Sequence, residues 1–439
     1  MMMMIIFSTI IGNKNNMLFL LPMMVLLSVM KYSLTSVFSY NMNIFYNYFI
    51  FDKLSFMMIL IFLLIMYLLV VLTNIKHLIM NTNLFMSLMF LLNFYIIMTM
   101  YFNNLYAFYI FFEVSLIPML MMIWGWGGFS KKINAGNMFL MYTSLSSLPF
   151  LFFILSVSNK MKIIQWKTFN ILLSTLLHGL LVATCVFMVK LPVYTLHMWL
   201  PKAHVEASTM GSMVLAGSLL KLGSYGLNRM TLILEVNQLS LLILLSTLLH
   251  GLLVATCVGC SQEDFKMMIA YSSIIHMSML AGSLLTNMNN ITKTNIILSI
   301  THGLISPMMF YMIYSIYYNY KTRSALIIKY PLMKMFWGIS IMFMFMLLCN
   351  IGCPPSFSLL GEMMLFMILL KFSKTIMIFM MIMISILMMT LSLNLFTRNY
   401  ISLKMNLFKF IFKEIDLNYM ALTLMMMTNM WMLQKYFMF

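Results

Sequence analysis

The sequence predicts an all-α polytopic membrane protein of about fourteen transmembrane helices, with two of them interrupted by proline. Three observations carry this. Of 439 residues, 63% are hydrophobic and only 8% are charged, and mean hydropathy is +0.99. No soluble domain of this length is so poor in charge. Apolar runs of spanning length recur from end to end. Prolines then cut two runs at Lys190-Leu-Pro192 and at Ile351-Gly-Cys-Pro-Pro-Ser356. These positions are comparable in two halves of the chain, which is the sequence sign of an inverted-repeat transporter with its path at mid-membrane.

Taken in order, the runs lie near Met1–Ile11, Met17–Tyr40, Leu54–Thr73, Leu84–Tyr101 and Leu105–Trp126. Next come Met138–Val157, Asn170–Lys190, Thr209–Arg229, Leu239–Val258 and Lys266–Leu285. The last are Ile296–Tyr317, the interrupted Leu332–Lys371, Ile376–Leu395 and Leu417–Leu433. From Leu54 onward the runs are apolar enough to span, the first two carry the weakest signal, and the polar stretches between runs read as loops. Pro192 removes a backbone N–H and ends its helix. Pro201 is expected to end a short second piece, with His204 and Glu206 in a polar loop beyond it. Alternate loops divide the basic residues unequally. One side collects Lys131, Lys132, Lys202, Lys266, Lys321, Arg323, Lys329, Arg398, Lys404, Lys409 and Lys413. That side is expected to face the cytoplasm or its organellar equivalent, the matrix, with both termini opposite.

The net charge of +17 fits this topology. It does not indicate nucleic-acid binding, because no basic run is interleaved with aromatics on a polar face. No Ser/Ala-type signal peptide is expected. The 58 methionines exceed what packing demands, and the bias toward Met, Ile, Phe, Asn and Lys suggests AT-rich organellar coding. Five cysteines include Cys257-Val-Gly-Cys260 and the pair Cys349 and Cys353, but no further ligand completes a metal or cluster set. The segment Ile171–Val186 recurs unchanged at Ile243–Val258. An old structural repeat would have drifted, so identity implies recent copying or a sequence error. His178 and His250 therefore carry no functional weight.

Asp and Glu total nine, so every one inside a span matters. Glu113, Lys190, Lys221 and Glu362 lie within or at the ends of apolar runs, and His276 and His302 lie on two intervening ones. Any one alone is explained as a paired structural charge or a satisfied core histidine. A set on successive spans is not, since each centred charge costs about 2.5–3.5 kcal/mol and such residues mark proton relays. Burial disfavours an ammonium and a nearby carboxylate restores it, so Glu113 could load and unload Lys190. Histidines carry protons between such stations. A dedicated sodium site would need more oxygen ligands than the runs offer.

The run Val189-Lys-Leu-Pro192 with His197-Met-Trp-Leu-Pro-Lys-Ala-His-Val-Glu-Ala207 resembles the chain 4 family of NADH-ubiquinone oxidoreductase. These are antiporter-like subunits in the membrane arm of mitochondrial respiratory complex I. Further matches are Phe112-Glu-Val-Ser-Leu-Ile-Pro118, Gly125-Trp-Gly127, Gly211-Ser-Met-Val-Leu-Ala-Gly217 and Leu220-Lys-Leu-Gly223. Others are Ile269-Ala-Tyr-Ser-Ser273 with His276-Met277, His302-Gly303, Pro354-Pro355 and Leu360-Gly-Glu362. The chain departs from the family pattern at Lys131-Lys-Ile-Asn-Ala-Gly136, at Ser208 where proline is usual, and at Gly223-Ser-Tyr-Gly226.

The resemblance implies fourteen helices with two inverted five-helix repeats, over 83–230 and 238–396. N-terminal helices over 1–82 precede them, and a C-terminal loop and helix over 397–439 follow. It implies Glu113 as the modulating acid, Lys190 as its partner, Lys221 with His276 and His302 as the central relay, and Glu362 as the terminal station. The glutamate favours chain 4 over the sister chains 2 and 5, which usually carry lysine there. The implied activity is proton translocation across the inner mitochondrial membrane, driven by NADH oxidation and ubiquinone reduction in other subunits. No cofactor is expected in this chain; FMN, iron–sulfur clusters, NADH and ubiquinone would be held elsewhere. Expected partners are the other membrane-arm subunits, including chains 2 and 5, and membrane lipids. A cation/proton antiporter shares the fold and the charges and is the rival reading. An inert membrane spacer would not retain the row of buried charges.

Overall fold

In hydrocarbon a backbone must satisfy its own polar groups, and the apolar runs do so as helices. The computed structural model describes residues 52–73, 82–128, 130–158, 177–231, 238–286, 291–320, 337–354, 356–370 and 374–400. The helices are α1 (Lys53–Thr73), α2 (Thr82–Tyr101), α3 (Leu105–Val114), α4 (Leu116–Trp126) and α5 (Lys132–Ser158). Then come α6 (Leu177–Lys190), α7 (Trp199–Glu206), α8 (Thr209–Val214), a π turn (Leu215–Leu219) and α9 (Leu220–Thr231). The rest are α10 (Gln238–Ser261), α11 (Phe265–Leu285), α12 (Ile291–Tyr320), α13 (Trp337–Ile351), α14 (Phe357–Leu369) and α15 (Lys374–Tyr400). Among the described residues, seven helical stretches are long and apolar enough to cross a membrane. The expected runs Met1–Ile11, Met17–Tyr40 and Leu417–Leu433 lie outside the described residues.

Burial separates the centre of the bundle from its rim. The spanning stretches of α11 and α12 are each 94% buried, whereas those of α5 and α15 are only 33% buried. A helix buried on all sides is a core helix, so α11 and α12 form the axis on which the other elements pack. Both carry one of the expected histidines, His276 and His302. The rim helices turn Leu145, Phe152, Phe379 and Ile382 outward.

Both expected interruptions are present: α6 gives way to α7 across Leu191–Met198, and α13 to α14 across Gly352–Ser356. One expectation needs correction. Pro201 does not end the second piece of the first break; it lies in the first turn of α7, and His204 and Glu206 are helical. A proline is tolerated there because first-turn N–H groups have no intrahelical acceptor. The expected run Leu105–Trp126 is present as one spanning stretch, with a single turn at Ser115, itself in the αR region, between α3 and α4. Pro118 cannot donate to the carbonyl of Val114 four residues back. Ser208 caps α8 by accepting the Gly211 N–H at 3.3 Å.

Candidate functional site

At the first break, Pro192 forces α6 to stop on Lys190. Leu191 N–H still reaches the Phe187 carbonyl at 2.7 Å, and Val193 N–H takes the Met188 carbonyl that Pro192 cannot, at 3.3 Å. Lys190 is buried, and its Nζ has no hydrogen-bond partner. It lies 3.7 Å from the centroid of the Phe112 ring, a cation–π contact. The next residue on α3 is Glu113, whose Oε1 is likewise buried and without a hydrogen bond. The two charges act on one another, and the Ser147 hydroxyl lies beside the carboxyl. Lys190 also gains from the negative end of the α6 dipole. The break is pinned by Trp199, whose Nε1–H donates to the Val189 carbonyl at 3.1 Å.

Lys221 is fully buried at the start of α9. The preceding π turn presents the Ala216 carbonyl, to which Nζ donates; such turns are frequent at functional sites. On the other side, Nζ meets His302 Nδ1 at 2.8 Å. Gly303 makes this approach possible, since a Cβ there would stand 3.3 Å from Lys221 Cε. The His302 ring lies 5.8 Å, centroid to centroid, from His276 on α11. His276 Nδ1 lies 3.7 Å from Glu362 Oε1. The Glu362 carboxyl reaches back over Gly352, whose φ is +81° and whose missing side chain leaves it room. A small cavity of about 10 Å³ lies among His276, His302, Thr301, Asn350, Ser358 and Glu362, the size that holds about one water.

The structure thus brings Lys221, His302, His276 and Glu362 into one buried file across α9, α12, α11 and α14. Glu113 and Lys190 are neighbours without contact. Between the pair and the file, α9 packs directly on the break: a Cβ on Gly223 would stand 3.1 Å from Lys190 Cβ. Such a file can pass a proton by direct hydrogen bonds and short water bridges. Among the described residues, no group of three His, Cys, Asp or Glu could hold a metal, and the five cysteines are free thiols.

Several residues of the site escaped the sequence. His204 is fully buried, stacked on Phe310 at 4.6 Å, with neither ring nitrogen hydrogen-bonded. It interacts electrostatically with Lys221, His302 and Lys266. Placing it in a loop hid it; reading Pro201 as a first-turn residue would have put it on a helix facing the core. His197 is stacked on Tyr194 at 4.7 Å and edge-on to Tyr271 at 6.0 Å. Ser358 donates to the Cys349 carbonyl freed by the second break, at 2.6 Å. Nothing in residue types alone marks the π turn.

Residues 102–389 match the family model described as NADH:quinone oxidoreductase/Mrp antiporter, transmembrane. A chain named NADH-ubiquinone oxidoreductase chain 4 from Artemia franciscana is 39% identical over 267 residues, 59% of this chain and 66% of its own length. Its namesake from Myxine glutinosa is 35% identical over 289 residues, 64% of this chain and 62% of its own. The matched stretch therefore spans less than two thirds of these relatives. A chain of respiratory complex I from Thermus thermophilus, solved with bound NADH, superposes with a TM-score of 0.75. It is 21% identical, covering 86% of this chain and 80% of that one, a likeness of fold.

Proposed function

Because this chain belongs to the NADH:quinone oxidoreductase/Mrp antiporter transmembrane family, we propose that it is the chain 4 type of membrane-arm subunit of respiratory complex I. In that role it translocates protons across the inner mitochondrial membrane. The energy comes from NADH oxidation and ubiquinone reduction in other subunits, which hold the FMN and the iron–sulfur clusters; this chain carries no redox centre. Its neighbours are other membrane-arm subunits, including the antiporter-like chains 2 and 5. Residues 83–230 and 238–396 form its two inverted five-helix repeats, flanked by 1–82 and 397–439. The observation that carries this reading is the buried file from Lys221 through His302 and His276 to Glu362, beside the Glu113–Lys190 pair at a helix break.

The residues divide the work by geometry. An ionised Glu113 supports the Lys190 ammonium in a site otherwise made of rings, where an unpaired charge is expensive. Withdrawing that carboxylate charge drives the Lys190 proton toward Lys221. His302 Nδ1 accepts from Lys221 Nζ, and its other ring nitrogen can pass a proton toward His276. His276 delivers to Glu362 Oε1, and the cavity beside them has room for a water that would complete the step. Glu362 is the last station.

The test is Glu113→Gln in the assembled complex, reconstituted in vesicles. Coupled NADH:quinone activity and proton pumping are expected to fall together, since the neutral amide cannot tune Lys190. Unchanged pumping would refute the role of Glu113. The family description also admits a cation/proton antiporter. Transport driven by a sodium gradient and indifferent to NADH would decide for that reading.

A further inference from the structure

From Lys221 toward Thr231, one face of α9 is polar. At 100° per residue, Ser224, Tyr225, Asn228 and Arg229 fall on the side of the helix that carries Lys221. Ser224 and Asn228 are fully buried, as is Asn295 on the facing helix α12. Ser224 Oγ donates to the Lys221 carbonyl at 3.0 Å, and Asn295 Nδ2 donates to the Ser224 carbonyl at 3.3 Å. Here the protein's own hydrogen bonds run out. Asn295 Oδ1 has no partner, and neither Oδ1 nor Nδ2 of Asn228 has one. A fully buried amide with all its hydrogen-bonding capacity unused is costly enough that native proteins fill such places with ordered water.

The file ends on an ion pair. Arg229 Nη1 donates to Asp52 Oδ2, while Arg229 Nε and Nη2 are buried and unpartnered. The guanidinium lies 5.0 Å from the Tyr225 ring centroid. The Asp52 side chain is 25% exposed, so here the buried polar face reaches the surface. This is the end of the α8–α9 span remote from Ala207, whose carbonyl accepts from Lys266 at 3.1 Å.

We propose that this face is a second hydrated branch of the proton path. Water held by the unpartnered amide groups of Asn228 and Asn295 would connect Lys221 with the Asp52 carboxylate, which is part-exposed. Asn228 and Asn295 are positioning residues: their amides do not ionise, but they orient the water. One proton moves. It leaves the Lys221 ammonium, which becomes an amine, and passes from water to water. It arrives on Asp52 Oδ, whose pairing with Arg229 loosens as the carboxylate is neutralised. The branch gives this chain an outlet of its own besides the route to Glu362. It rests on the reading of the chain as a proton-translocating subunit.

The experiment measures protons translocated per NADH oxidised by the assembled complex in vesicles, for Asn228→Leu, Asn228→Ser and Lys221→Met. Leucine keeps the branched shape of asparagine, is somewhat larger and holds no water; serine restores a water partner. The expected result is a loss of proton yield in Asn228→Leu with NADH oxidation retained, and recovery of yield in Asn228→Ser. A native yield in Asn228→Leu, with Lys221→Met defective, overturns the branch and leaves the main relay standing. A native yield in Lys221→Met overturns the translocation reading and the branch with it. If Asn228→Leu does not assemble, Asn295→Leu on the opposite wall reads the same quantity: a lost yield supports the branch and a native yield overturns it.

Discussion

The two interrupted spans solve the same backbone problem in opposite ways. At the first break the charge, Lys190, ends the leading helix; at the second, Glu362 belongs to the following helix and reaches back to the gap. Lys190 sits at a helix C-terminus, whose dipole favours a cation, whereas Glu362 lies beyond the first turn of its helix and gains little from that dipole. Their linings differ more. Lys190 rests on the ring of Phe112, with Trp199, Tyr194 and His197 packed through the break. Glu362 shares a small cavity with the polar side chains of His276, Asn350 and Ser358 and with apolar Leu298 and Ile305. Each break also contains one residue at positive φ: Gly352 at +81° in the second, Thr195 at +61° in the first. Glycine occupies that region freely, whereas a β-branched residue there is strained. The first break is aromatic and strained, and the second carries several polar side chains around a glycine turn and is unstrained. The difference suggests that the first is the one whose geometry responds to its surroundings.

The largest expected effect comes from removing the ease of the second break. In Gly352→Val the new side chain would meet the Glu362 carboxyl and force a β-branched residue to positive φ. A destabilisation of about 3 kcal/mol is expected, read as a lowered midpoint of thermal inactivation of the assembled complex. A midpoint equal to the parent's would mean that the second break is not built around Gly352.

Next comes the support of the first break from the other half of the chain. A Cβ on Gly251 of α10 would stand 2.5 Å from Tyr194 Cβ. Gly251→Ala should therefore cost about 2 kcal/mol by overpacking and displace the loop that carries His197. Gly251 belongs to the second copy of the duplicated segment, so a loss here also shows that this copy is fitted to its place. An undisturbed midpoint would show that the loop is not seated on α10. Smaller again is Trp199→Phe, which leaves the Val189 carbonyl without its indole donor and should cost about 1 kcal/mol. Retention of full stability would mean that the aromatic packing alone holds the break.

How much of this was legible in the sequence depended on the kind of signal. Apolar length gave the helices, and the prolines at 192 and 354 marked both breaks, because removing an N–H has a local consequence. Pro201 misled, since the same residue is harmless in a first turn, and only the start of α7 at Trp199 decides between the two. Pro118 leaves only a single turn residue at Ser115 in a span that otherwise runs from Leu105 to Trp126 as expected. Of the site, the ionisable residues stood out because charge is rare here. Which of them touch could not be read: the 2.8 Å contact between Lys221 and His302 depends on a π turn and on Gly303, neither of which has a chemical signature. Buried amides such as Asn228 and Asn295 were invisible because asparagine is common throughout the chain.

The smallest effect has the opposite sign. Thr195 is exposed, so little packing is lost when its side chain is changed. Its cost lies in the backbone, where a left-handed conformation is unfavourable for an L-residue by about 1–2 kcal/mol and is best tolerated by Gly, Asn or Asp. Asn is the sharper substitution, because Gly would also loosen the unfolded chain and offset part of the gain. Thr195→Asn is expected to stabilise the complex by up to about 1 kcal/mol, seen as a raised midpoint of thermal inactivation. Relaxing a strained functional segment commonly costs activity. If the first break is the responsive one, the stabilised variant should also turn over more slowly in coupled NADH:quinone assays. A raised midpoint with unchanged turnover would keep the strain and remove its function. A lowered midpoint would show that the threonine side chain holds the loop, and the contrast between the two breaks would then rest on their linings alone.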